Sequence, residues 1–315
     1  MISVLSFLGR HGRWVLPAGL VAGLLFPWAA EPMRQAIPLF IGLLLFLAVL
    51  RILPDAGAAA SMRSKSAWTS TLLRIGLAQL LLPVVVFYAL SLCQAPWVVV
   101  LAATLVAAAP PISGSPNLVL LLRGDAALAM RWLMLGTVLL PLSCLPVLYL
   151  LQPEQSITTM LSPALQLLSL IGGSVLLALL VMRLLRSRSR SRSVQFNAEV
   201  LDGVSALALA LMVVGLMSAI HEPANGWADV ARMLLLALLV NVGLQALGVL
   251  VSRFTRQDSA HTVSTGVVCG NRNIALFLAA LPAAQMEPLL LFIACYQVPM
   301  YLTPLIGEAF YSRLE

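Results

Sequence analysis

The segment "VVCGNRNIALFLAALP", residues 267–282, decides how the chain reads. It is apolar enough to enter a bilayer, yet it holds Arg272 between Asn271 and Asn273. An arginine near the bilayer centre costs about 2.5–3.5 kcal/mol on insertion scales. A residue that costly needs a partner or a task, and the surrounding sequence narrows which.

The 315 residues are 61% hydrophobic and 10% charged, with mean hydropathy +0.98. Soluble domains average about 45–50% apolar and about 25% charged. Long uncharged runs recur from end to end, so the chain reads as an all-α integral membrane protein. The net charge of +7 does not point to nucleic acid, because the basic residues lie mostly in short loops between apolar runs. Cys93, Cys144, Cys269 and Cys295 form no CxxC pair and read as small core residues. His11, His221 and His261 are scattered. No nucleophile–base pair, metal cluster or phosphate loop is visible, so neither an enzyme nor a cofactor is expected.

A ruler of about 20 apolar residues per crossing gives ten expected spans. They run approximately over 13–29, 34–53, 68–92, 97–122, 126–150, 163–186, 199–220, 229–252, 262–282 and 287–311. Arg10 and Arg13 before an apolar run resemble a signal peptide, but the alternation of spans requires this segment as a retained helix. Of the 19 lysines and arginines, 15 fall on the side that receives both termini and 2, Arg34 and Arg232, on the other. Arg74 and Arg272 remain within spans. The positive-inside rule therefore places both termini in the cytoplasm, as in a bacterial inner membrane. Arg74, close to its cytoplasmic end, is expected to snorkel. The tract "RLLRSRSRSRS", 183–193, reads as a solvated cytoplasmic loop, with anionic lipid head groups as an alternative partner.

Residues 1–155 and 156–315 then hold five spans each. An odd number per half inverts one half relative to the other, the arrangement of inverted-repeat transporters. The fourth span of each half is interrupted, by "AAAPPISGSPN" (107–117) and by "VVCGNRN" (267–273). Proline removes a backbone donor and clashes with the preceding turn. Irregular backbone at membrane depth survives only where protein or a wet cavity satisfies it. Ser115 reads as an N-cap before Pro116 and Asn117, and Asn271 as an N-cap before Arg272 and Asn273. Each would open a half-helix whose N–H groups face the membrane interior and attract anions. The alternative for Arg272 is structural, satisfying carbonyls freed by the break in the fourth span or pairing with a carboxylate, for which Asp202 at the start of the seventh span is the nearest candidate. Gln79, Asn241 and Gln245 read either as lining a pathway or as joining helices by hydrogen bonds, the second being preferred.

The segments "APPISGSPNLVLLLRGDAALA" (109–129), "TVSTGVVCGNRNIAL" (262–276) and "AQLLLP" (78–83) resemble the interrupted helices of the bile acid:sodium symporter superfamily. The resemblance implies a panel of helices 1, 2, 6 and 7 and a core of helices 3–5 and 8–10, in which helices 4 and 9 cross. It also implies sodium sites, and here the chain departs. Ser115, Gln79 and Asn271 keep the family's residue type. The neighbouring asparagine position is Pro116, the helix-five hydroxyls fall at Ala129 and Leu133, the carboxylate at Gly266 and the glutamine at Gly270. Auxin-efflux type carriers are a more distant likeness. The expectation is a secondary transporter of a small or amphipathic organic anion, not coupled to sodium, with Arg272 in place of the bound cation. Substrate contacts are expected from Arg272, Asn271, Asn273, Ser113, Gly114, Ser115, Asn117, Gly270 and Gln79. A sodium-coupled symporter and a non-transporting intramembrane ligand sensor are the alternatives.

Overall fold

The computed structural model describes residues 2–52, 65–152, 157–188, 197–222, 225–281 and 283–312. Among them the chain is helical throughout. Its β-type pairing is one isolated antiparallel bridge, Pro111 with Arg272. Five helical stretches are long and apolar enough to cross a membrane: Ala67–Leu92, Ala126–Leu151, Leu161–Leu185, Glu199–His221 and Trp227–Phe254. A sixth is the pair Pro27–Gln35 and Ile37–Leu50, bent by 66°. The helix Trp227–Phe254 turns its polarity inside out: Leu235, Leu239 and Val242 are exposed while Asn241 is buried. Apolar surface outside and amides inside suit a lipid surround.

The helices fall into two compact units. The first comprises Met1–Ala60 and Ser169–Gly226. It contains α1 (Ile2–Arg10), α2 (Gly12–Leu25), α3 (Pro27–Gln35) and α4 (Ile37–Ile52). All four pack on a single later helix, α11 (Ala198–Met217). The expected first span of 13–29 stops at Leu25, because Phe26 leaves helical geometry and Pro27 opens a new helix. Glycines set the α1–α11 distance: a Cβ on Gly203 would overlap the Leu5 carbonyl, and one on Gly9 the Glu199 carbonyl. Arg10 closes the same contact with a two-bond ion pair to Glu199 (2.9 and 3.1 Å). Helix α10 (Ile157–Arg188) enters this unit from residue 169 and packs Ala178 and Met182 on Leu50. Of the basic tract, 183–188 end α10, whereas 189–193 lie outside the described residues.

The second unit comprises Ser61–Leu168 and Trp227–Glu315. Its helices are α5 (Lys65–Ile75) and α6 (Leu82–Leu92), joined by a π-helical turn over Gly76–Leu81, then α7 (Trp97–Ala108), α8 (Ser115–Leu121) and α9 (Ala126–Leu151). After α11 come α12 (Trp227–Phe254), α13 (Ser259–Gly270), a 3-10 turn over Ile274–Ala279, and α14 (Ala283–Tyr311). Helices α12 and α13 pack closely, and α13 also meets α8 and α9. The two interruptions foreseen in the sequence are therefore both in this unit, after α7 and after α13.

Candidate functional site

Helix α7 ends where chemistry requires it. Ala109 precedes Pro110 and takes extended geometry (φ −67°, ψ 148°), as residues before proline do. Pro110 and Pro111 offer no N–H, so the carbonyls of the last α7 turn and of the prolines themselves need other donors. The break after α13 answers with one donor and one acceptor. Asn273 N donates to Pro110 O (2.7 Å) and Ile112 N donates to Asn271 O (3.0 Å). These two bonds form the Pro111–Arg272 bridge and fasten the interruptions to each other.

The Arg272 side chain completes the junction. Its Nε donates to Cys269 O (2.9 Å) and its Nη1 to Ala109 O (3.0 Å). One guanidinium thus caps the C-terminal ends of both α13 and α7. Each helix C-terminus carries a partial negative charge of about half an electron, so a cation between two of them is electrostatically favoured. The residue is completely buried and its Cζ stands 5.9 Å from the Trp132 ring centroid. Nη2 has no hydrogen-bond partner among the described residues. The salt bridge to substrate suggested by the sequence has only this nitrogen left to make it. Arg131 is the other buried charged side chain among the described residues; its Nη2 has Asp125 Oδ2 at 4.0 Å, whereas Arg272 has no carboxylate at ion-pair distance among the described residues.

A layer of amides and hydroxyls backs the junction. Asn241 Nδ2 and Tyr296 Oη both donate to Gly270 O (2.7 and 2.5 Å). Gln245 Nε2 donates to Asn241 Oδ1 (2.7 Å) and Tyr311 Oη donates to Gln245 Oε1 (2.9 Å). Thr303 Oγ1 donates to Asn271 Oδ1 (3.1 Å), and Asn271 Nδ2 donates to Val267 O (2.8 Å). Asn241 and Gln245 therefore join helices, as the sequence suggests. Tyr296, Thr303 and Tyr311 had no such reading, although a buried hydroxyl in an apolar helix asks for a partner.

This layer also fills the positions where the resemblance places sodium ligands. A Cβ on Gly270 would overlap Gln245, and one on Gly266 would come within 2.6 Å of Tyr311 Oη. Gln79 sits in the π turn, a feature frequent at functional sites. Its Nε2 donates to Gly136 O (3.2 Å) and, weakly, to Ala108 O (3.5 Å), leaving Oε1 without a partner among the described residues.

Two sequence expectations change. Ser115 is not the N-cap of α8: Gly114 is, because its carbonyl accepts the first helical bonds from Asn117 N and Leu118 N (both 3.1 Å). Ser115 lies inside the first turn, fully buried, its Oγ without a partner among the described residues. Asn271 is the C-cap of α13 rather than an N-cap, since its N–H bonds back to Val267 O. Beyond it the chain enters a 3-10 turn at Ile274, and Asn273, the residue before that turn, gives it no side-chain cap. Arg74 is partly exposed and donates to Thr265 Oγ1 (3.4 Å) and Gln257 Oε1 (3.3 Å).

The expected contact residues thus divide. Gln79, Ser115, Gly270, Asn271 and Arg272 are buried and build the junction; Ser113, Gly114 and Asn273 are partly exposed and Asn117 is exposed. The second group is accessible to a ligand, the first is not. The four cysteines are free thiols, Cys93 exposed and the others buried. No family model matches the chain, and no curated protein matches it either.

Proposed function

We propose that this chain is a secondary transporter of small organic anions that works by alternating access without sodium coupling. The observation that carries the reading is Arg272, a buried guanidinium that caps two helix ends at the meeting of two interrupted helices. In carriers with discontinuous helices, unwound carbonyls and helix C-termini coordinate the coupling cation. Here a covalently attached cation takes those carbonyls, so the junction holds together without a bound ion. The buried positive charge favours an anionic substrate. Ser113, Asn117 and Asn273, accessible beside the junction, would supply hydrogen bonds to its carboxylate or sulfonate.

The full architecture belongs to the same proposal: ten spans, two inverted sets of five, both termini cytoplasmic. Support comes from the breaks in the fourth and ninth expected spans, which pair with each other, and from the basic residues gathered on one side. The composition of the two compact units also fits, since each draws on both halves of the chain. Membership of the bile acid:sodium symporter superfamily is part of the proposal as well, resting on the three short motifs.

The test is counterflow in proteoliposomes, with labelled carboxylates and sulfonates offered outside and unlabelled ones inside. Exchange that proceeds equally in sodium and in choline supports the reading. If no anion exchanges in either salt, the carrier reading fails. A sodium-coupled symporter is the second reading, favoured by the buried oxygens without partners among the described residues, on Gln79, Thr104, Ser115 and Gln297. Exchange that requires sodium would select it.

A further inference from the structure

Two connections in the second unit end on the same device. Arg123 (φ 60°) and Arg256 (φ 54°) are left-handed residues that close α8 and α12. Gly124 N donates to Val119 O (2.8 Å) and Gln257 N to Ser252 O (3.0 Å), which completes each helix stop. Two residues after each arginine, an aspartate starts the next helix. Asp125 Oδ1 accepts from Ala127 N (2.8 Å) and Leu128 N (3.1 Å), and Asp258 Oδ1 from His261 N (2.7 Å). The two helix starts lie against each other. Asp125 N donates to Ser264 Oγ (2.7 Å), and Ser264 Oγ donates to Asp125 O (3.1 Å).

His261 stands between the two aspartates. Its Nδ1 is 2.8 Å from Asp258 Oδ1 and its Nε2 is 3.6 Å from Asp125 Oδ2. A neutral imidazole has one N–H and one lone pair, so in either tautomer a lone pair faces a carboxylate oxygen. Only the imidazolium carries a proton on both nitrogens, bonding Asp258 through Nδ1 and facing Asp125 at ion-pair distance through Nε2. The other charged groups facing this cluster are Arg131, whose Nη2 is 4.0 Å from Asp125 Oδ2, and Arg74, which is bonded to Gln257 and Thr265 on either side of the cap.

We infer that His261, Asp125 and Asp258 form a proton-binding site that ties the starts of α9 and α13, closed when the ring is protonated and loosened when it is neutral. The site goes beyond the carrier reading and does not depend on it. On the alkaline side the tie is lost because the ring then carries a single proton and donates to one carboxylate at most. Asp258 sets the opposite limit. The His261 backbone N–H first, and its ring second, hold this carboxylate below its ordinary range. Its contribution is complete above that range and is lost as pH falls through the lowered one. The tie is closed between these limits. Because α13 ends at Gly270, two residues before Arg272, and α9 carries Trp132 and Arg131, a change at the tie acts on helices that build the junction.

The test is hydrogen–deuterium exchange of the full-length protein in detergent at about pH 6 and about pH 8, bracketing histidine titration, with rates corrected for intrinsic chemistry. In wild type, protection of the segments 120–130 and 256–266 falls together at the higher pH. In His261→Gln that pH response disappears. Asp125→Asn, which keeps a capping oxygen but loses the charge, retains only a reduced response and guards against a misfolded glutamine variant. Equal protection of wild type at both pH values overturns the site. So does a full wild-type response in His261→Gln, because His11 and His221 remain there.

Discussion

At the scale of the residue, Arg272 answers its own cost. A guanidinium that sits between two helix ends, with Nε and Nη1 bonded, serves the Cys269 and Ala109 carbonyls that the two helix stops leave without an intrahelical donor. Removing it leaves two buried carbonyls unsatisfied, at about 1–3 kcal/mol each. Arg272→Ala is therefore expected to lower the melting temperature of the purified protein strongly in choline. If a cation belongs at this place, sodium restores part of the loss, and wild type shows no sodium response. A saturable stabilisation of wild type by sodium would contradict the replacement. Arg272→Lys keeps the charge but reaches one carbonyl at a time, and is expected to melt between wild type and alanine. Ser115 makes the contrasting case. Its buried hydroxyl has no partner among the described residues, so Ser115→Ala removes an unsatisfied polar group and should leave the melting temperature unchanged or higher. A large loss would mean that the hydroxyl is structurally engaged.

At the scale of the element, what the sequence makes legible is what depends on local chemistry. Apolar runs near the bilayer length announce long helices such as Trp227–Phe254, and paired prolines announce the end of α7. Partners brought from far along the chain are not legible. For Arg272 the sequence offers the carbonyls freed in the fourth span as the structural alternative, and the bond to Ala109, 163 residues away, bears it out. Which carbonyl it reaches is not legible, and nothing local to Ser115 shows that Gly114 serves as the cap. The π turn at Gln79 escapes for the same reason, since its sequence fits an α-helix. Glycines sort by what they face, which also requires the fold. Gly203 and Gly9 allow α1 and α11 to approach backbone to backbone, a use of small residues familiar in membrane helices. Gly203→Val should cost about 1–3 kcal/mol through overpacking, read as a lower melting temperature. Gly173, inside α10, meets nothing within 4 Å. Gly173→Ala is expected to raise stability by up to about 1 kcal/mol through helix propensity. If both substitutions shift the melting temperature alike, packing is not what distinguishes them.

At the scale of the whole molecule, each compact unit takes one stretch from before and one from after the middle of the chain. Neither half of the sequence is a unit by itself, so the halves must insert in a defined relation for the two broken helices to meet. That relation is the proposed topology, and a native side chain reports on it. Cys93 follows the third expected span, which the ten-span scheme runs from the cytoplasm outward. It is the exposed thiol of the four, whereas Cys144, Cys269 and Cys295 are buried. A membrane-impermeant maleimide applied to intact cells should therefore label the protein, and Cys93→Ser should abolish the labelling. The charge asymmetry makes the same assignment independently, since it puts both termini on the opposite, basic face. Labelling that appears only after the cells are permeabilised would place Cys93 in the cytoplasm. The first three spans would then be miscounted or inverted, and the pairing of residues 111 and 272 would have to arise from a different order of crossings.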